Sequence, residues 1–101
     1  MHNMKARSIL NRREVVAEGR FFHVVVWRVP TPVLGCTHPY KYRLAYVVDD
    51  VCVLRFDNER GRGDHWHYGA DVQPFEFQGL EQLLVDFEKA MKRWNDEHGL
   101  D

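Results

Sequence analysis

The chain is 101 residues long, 45% hydrophobic and 29% charged, with a formal charge of −1 at pH 7. That length supports one core rather than two, and the near-neutral total excludes the uniform basic field of a general nucleic-acid binder. No apolar run approaches the ~18 residues of a membrane helix, and two cysteines, Cys36 and Cys52, with no secretory leader make a disulfide framework unsuitable. These features point to a reducing, cytoplasmic setting with no membrane contact. The charge is unevenly placed. Residues 1–30 carry six Lys/Arg against two acidic residues, whereas residues 71–101 carry three basic and eight acidic ones. Such a dipolar body suits a protein that meets an anion on one side, although ordinary surface charge explains the count as well.

Met4-Lys5 reads as a start, which makes Met1 to Asn3 an expendable extension and leaves residues 1–6 without expected structure. Ser8 to Ala17 can form a strand that turns at Glu18-Gly19 into Phe21–Val29, a run too rich in β-branched and aromatic residues for a surface helix. Pro30, Pro32, Gly35 and Pro39 then enforce an irregular connection. Tyr40–Val48 and Val51–Asp57 read as a hairpin around Asp49-Asp50. An uninterrupted register would place Tyr42, Leu44, Arg55 and Asp57 on one face, with Arg43 opposite Phe56 on the other. It also gathers Tyr42, Arg43, Arg55 and Asp57 at the open end. Phe75-Glu76-Phe77 suggests a short edge strand. Leu80, Leu83, Leu84, Phe87, Met91 and Trp94 recur on one face of a helix over 79–97. The expected fold is one α+β domain over residues 1–101, an antiparallel sheet of four or five strands covered on one face by the C-terminal helix. Trp27 and Trp94 read as core anchors, and His23 as a satisfied sheet histidine.

Residues 55–67 hold three arginines, two aspartates, a glutamate and two histidines among only two large apolar residues. No hydrophobic core needs that mixture. His65 and His67 project from the same face of an extended backbone. They could serve as base and acid at a phosphodiester, or as two ligands of one metal. A metal would need further ligands from Asp57, Asp64 or His38, and nothing in the spacing demands them, so no metal or cofactor is assigned. Asp57 and Asp64 are candidates to orient a histidine. Arg43, Arg55, Arg62 and Tyr42 are candidates to bind the substrate, since guanidinium groups fork onto phosphate. Arg60-Gly61-Arg62-Gly63 could wrap a phosphate or be an exposed loop. Trp66 should point away from the histidines, either as a core pin or as a stacking platform.

Tyr42-Arg43-Leu44-Ala45, Asp57-Asn58-Glu59 and Gly63-Asp64-His65-x-His67, followed by Leu80-Glu81-Gln82-Leu83, resemble the TumE family of bacterial toxin–antitoxin proteins over nearly the whole chain. The resemblance implies a small growth-inhibiting toxin paired with a helix-turn-helix antitoxin. In that family the residue between the two histidines is usually basic, so Trp66 is a departure that removes an expected phosphate contact. Ribonuclease chemistry is read from the residues, not from the resemblance. The rival readings are a non-catalytic anion- or partner-binding module and a metal-dependent hydrolase. An exposed sheet edge could also pair two copies.

Overall fold

Each strand hands over to the next at residues that accept the left-handed region of backbone space. Asp49 and Asp50, at φ 48 and 66, make the primed two-residue turn whose twist suits a hairpin, and Gly19, at φ 75, turns the one before it. The computed structural model describes residues 5–101. Its elements are β1 (Arg7–Ala17), β2 (Arg20–Arg28), β3 (Tyr40–Val48), β4 (Val51–Glu59), β5 (Gly63–Tyr68), β6 (Asp71–Pro74) and α1 (Leu80–Glu97). The strands form one antiparallel meander in chain order. The expectations for Met1 to Met4 lie outside the described residues. No helix is long and apolar enough to cross a membrane among the described residues.

The α+β class and the C-terminal helix are as the sequence predicts, but the sheet has six strands rather than four or five. The surplus is β5 and β6, whose polar sequences carry no hydrophobic alternation. Phe75–Phe77 is not a strand. The ladder stops at Pro74, which has no N–H to donate, and Phe75 N–H turns to the Asp64 carbonyl at 3.2 Å. The two phenylalanines pack instead, Phe75 edge-on to Phe56 and Phe77 stacked on His38.

One face of the sheet forms the core. Val24, Val26, Leu44, Tyr46, Leu54 and Phe56 pack there with Leu83, Phe87 and Ala90 of α1. Leu44 and Leu54 are fully buried, and removing a leucine side chain from such a place costs about 2–5 kcal/mol. Leu84, expected on the buried stripe, stays 36% exposed. Trp27 corrects another expectation. It lies on the face away from α1, between the buried Val26 and the end of β2, and is 37% exposed.

The uninterrupted hairpin register is also corrected. Val48 and Val47 pair with Val51 and Cys52 as expected, but Tyr46 then pairs with Leu54, leaving Val53 as a bulge. An extra residue on one strand exchanges the two faces beyond it. Arg55 and Asp57 thereby join Arg43 on the face away from α1, and Phe56 joins Tyr42 and Leu44 on the helix side.

Candidate functional site

The bulge decides the site. Past it, Asp57 pairs with Arg43 on one side and His65 on the other, while Arg55 pairs with Ala45 and His67. Side chains at i and i+2 of neighbouring strands meet on one face. Arg55 and Asp57 of β4 therefore face His65 and His67 of β5 on the surface opposite α1. Arg55 Nε lies 2.9 Å from Asp57 Oδ2, and His65 Nε2 lies 2.9 Å from Asp57 Oδ1. His67 Nε2 is 3.9 Å from the same oxygen and accepts a hydrogen bond from the Arg55 guanidinium at 2.9 Å.

The four groups are not equally placed. Asp57 and His65 are each only 6% exposed. His65 Nδ1–H donates to the Gly63 carbonyl at 3.1 Å, which fixes the ring in its plane. Its Nε2 approaches Asp57 Oδ1 without hydrogen-bond alignment, and Arg55 Nε meets the same carboxylate equally off-axis. These are ion-pair contacts by distance, with directional capacity left over. His67 and Arg55 are the more exposed pair, with side chains 22% and 28% accessible. An arginine can only donate, so His67 Nε2 holds a lone pair and the ring is neutral. Burial, then the Arg55 charge, holds the His67 pKa below its usual value. A cavity of about 420 Å³ opens beside it, lined by Arg62, His65, His67, Val72, Gln73 and Pro74.

Two of the residues grouped with this site from sequence lie elsewhere. Asp64 and Tyr42 are on the helix side of β5 and β3, where Tyr42 O–H donates to Asp64 Oδ1 at 2.6 Å. His38 Nε2 meets the same oxygen at 2.9 Å, and its Nδ1 accepts from the Tyr40 N–H at 3.2 Å. Both nitrogens of His38 are used, and its ring stacks on Phe77 at 3.7 Å. Burial, then the bond to Asp64, raises the Tyr42 pKa, while burial raises that of Cys36, so neither is a ready anion. This second cluster pins the connection over residues 29–39 to the sheet. His38, named from sequence only as a possible further metal ligand, is its centre.

Asn58 carries no role in the sequence reading beyond its place in the Asp57-Asn58-Glu59 block. It is 2% exposed, accepts from Tyr42 N–H at 2.9 Å and donates to the Tyr40 carbonyl at 2.7 Å. The Arg60–Gly63 loop is not an open anion nest. Gly61 N–H is spent on the Leu34 carbonyl and Arg62 N–H on that of Glu59. Gly35 and Gly63 cross so closely that a Cβ on Gly35 would sit 3.0 Å from Gly63 N. Arg62 itself is exposed, 3.7 Å from Glu59. Trp66 stacks on Phe56 on the helix side, 5.4 Å between centroids, and pins β5 to the core.

Asp57, His65 and His67 each offer one ligand atom within 4.8 Å of the others, and so do Cys36, His38 and Asp64. In the second set both histidine nitrogens are committed. In the first, the Arg55 guanidinium already provides the cation at Asp57 and His67.

The family model described as Toxin TumE matches residues 5–95. No curated protein and no solved structure matches the chain. With most of its length matched, this chain belongs to the TumE toxin family, and its partner is an antitoxin.

Proposed function

We propose that the protein is a metal-independent ribonuclease toxin in which His67 moves the proton and Arg55 binds the phosphate. The observation that carries this reading is the Arg55–His67 contact at 2.9 Å, which joins an anion-binding group to a neutral imidazole that lines a cavity. An incoming phosphate is a stronger acceptor for Arg55 than imidazole nitrogen. Drawing the guanidinium onto the phosphate frees the His67 Nε2 lone pair. His67 then takes the proton of the ribose 2′-hydroxyl, its oxygen bonds to phosphorus, and the bond to the 5′-oxygen breaks. The leaving oxygen takes a proton from water, and His67 returns its own to solvent. Arg55, supported by Arg43 and Arg62, stabilises the charge that builds on the phosphoryl oxygens.

Asp57 and His65 orient the pair from beneath. Their burial suits positioning better than contact with substrate, so His65 is given that role rather than the second proton transfer assigned to it from sequence. Asp64 and Tyr42 hold the loop. A helix-turn-helix antitoxin that covers the Arg62 loop and the β5 face would silence the site. A homodimer would form through β1, the longer edge strand, where Ile9 and Val15 are exposed. The metal-dependent hydrolase is the second reading, favoured by the 4.8 Å grouping of Asp57, His65 and His67.

Incubation with end-labelled RNA tests the first reading. Products ending in 2′,3′-cyclic phosphate are expected, none forming with His67→Ala or with a substrate whose 2′-oxygens are methylated. Cleavage that survives both changes would reject it in favour of the alternatives.

A further inference from the structure

The face that carries the site continues well beyond it. Trp27 of β2 lies on that face, 37% exposed, and its ring meets no other aromatic or guanidinium group among the described residues. Its register partner is Lys41, and two residues along β3 stands Arg43, opposite Asp57. Both cations are exposed and neither makes an ion pair among the described residues. The carboxylates of this face are already answered, Asp57 by Arg55 and Glu59 by Arg62. The helix, with its acidic side chains, covers the opposite face. The sheet thus separates charge across its two surfaces.

We infer that this helix-free face is a track for single-stranded RNA, with Trp27 stacking a base and Lys41 and Arg43 holding phosphates on the way to His67. An exposed indole beside unpaired cations is how sequence-tolerant single-strand binders are built, because every base has a stacking face and every nucleotide a charge. Trp27 and His67 are three strand spacings apart, and their rows lie four residues apart along the strands. At ~4.8 Å per strand and ~3.3 Å per residue the separation is roughly 20 Å, enough for a short run of extended nucleotides. A duplex keeps its bases stacked on each other and would leave Trp27 unused. A protein-docking face would carry apolar side chains at its middle and charge at its rim, whereas here the arginines Arg43 and Arg55 stand at the middle, beside Val25 and Ala45. The end point of the track rests on the ribonuclease reading, but its binding function does not.

Fluorescence anisotropy with a labelled 2′-O-methyl oligoribonucleotide of about 12 nucleotides, a size typical of single-strand sites, separates binding from cleavage. Trp27→Ala is expected to weaken binding about tenfold or more, as loss of a stacking platform does. Trp27→Tyr, which keeps an aromatic ring, should retain most of the affinity and excludes misfolding as the cause. Lys41→Glu and Arg43→Glu should each weaken binding and flatten its salt dependence, and Lys89→Glu on the helix should not. Unchanged affinity in Trp27→Ala and Lys41→Glu would overturn the track while leaving the nuclease reading intact. So would preference for a duplex, or a Trp27→Ala variant that loses antitoxin but not RNA. Binding that follows these variants without any cleavage of unmethylated RNA would keep the track and reject the nuclease.

Discussion

Two histidine–aspartate pairs lie on opposite sides of β5, each closing to 2.9 Å, and they behave as opposites. On the helix side, His38 uses both nitrogens, Asp64 takes a second bond from Tyr42, and an aromatic ring covers the imidazole. Neither nitrogen of that imidazole has a lone pair or proton left to offer. On the other side, Asp57 and His65 meet off-axis, and His67 holds its lone pair against a guanidinium that a phosphate can draw away. The same residue types are structural where both imidazole nitrogens are committed, and chemically capable where one remains exchangeable. Partner count separates the two pairs, and composition does not.

Replacing one histidine on each side of the sheet should give the widest contrast. His67→Ala is expected to lower RNA cleavage by about 10²–10⁴, the usual contribution of a general base, with the melting transition unchanged. His38→Ala should do the reverse, lowering stability while the remaining folded protein keeps its turnover. Growth inhibition and a urea melt on both variants decide the matter. Activity lost in His38→Ala and kept in His67→Ala would exchange the roles of the two sides.

A smaller effect is expected at Asn58, the residue that holds the satisfied side together. Its replacement by Ala leaves Tyr42 N–H and the Tyr40 carbonyl buried without their partner, and each orphaned group costs about 1–3 kcal/mol. The urea midpoint should fall accordingly, and the connection over residues 29–39 should lose amide protection before the sheet does. Equal protection in variant and wild type would mean that the loop is held by something other than this clamp.

The helix was legible because its apolar spacing is long and regular, and β2, β3 and β4 because their branched and aromatic residues fit only a sheet. β5 and β6 were less legible, since a strand bearing a polar site lacks the alternation that announces strands. The site was legible as a composition, with Arg55, Asp57, His65 and His67 singled out from residues 55–67. Its grouping was not. Val53 is an unremarkable valine in sequence, yet as a bulge it turns Asp57 to the face of Arg43 and away from that of Tyr42. Asp64 was misplaced for a simpler reason. It neighbours His65 in sequence, and neighbours on a strand point to opposite faces. Trp27 reads as core among valines because a continuous apolar run does not show which of its alternate side chains face α1.

A finer test of the unsatisfied side uses pH. Burial, then Arg55, holds the His67 pKa below the ordinary histidine value of 6.5. The unfolded chain therefore binds a proton before the folded one does as pH falls. Stability from this residue is present above about 6.5 and is lost as pH drops toward the folded pKa. The base also stays neutral below the usual histidine range, so the acid limb of the cleavage profile should lie under 6.5. Titration of the His67 ring proton by NMR reads the same quantity directly. In Arg55→Ala the midpoint should rise, though only in part, because burial is the larger cause. A midpoint that does not move would show that the guanidinium is not electrostatically coupled to the imidazole.

The last contrast is expected to show no effect, and that is its use. Both triads have the dimensions of a metal site, so a metal is the natural alternative cause of their geometry. On the satisfied side it has no open nitrogen to bind. On the other it must displace Arg55, whose charge sits at 2.9 Å from both Asp57 and His67, and a divalent cation brought near a fixed guanidinium is repelled by it. Chelator treatment should therefore leave cleavage unchanged, and elemental analysis should find less than one zinc per chain. One equivalent of metal that disappears in the His65→Ala, His67→Ala double variant would mean that Arg55 swings out to admit the ion. In that event Arg55→Ala should bind metal more tightly than wild type, an ordering that no accidental surface site would reproduce.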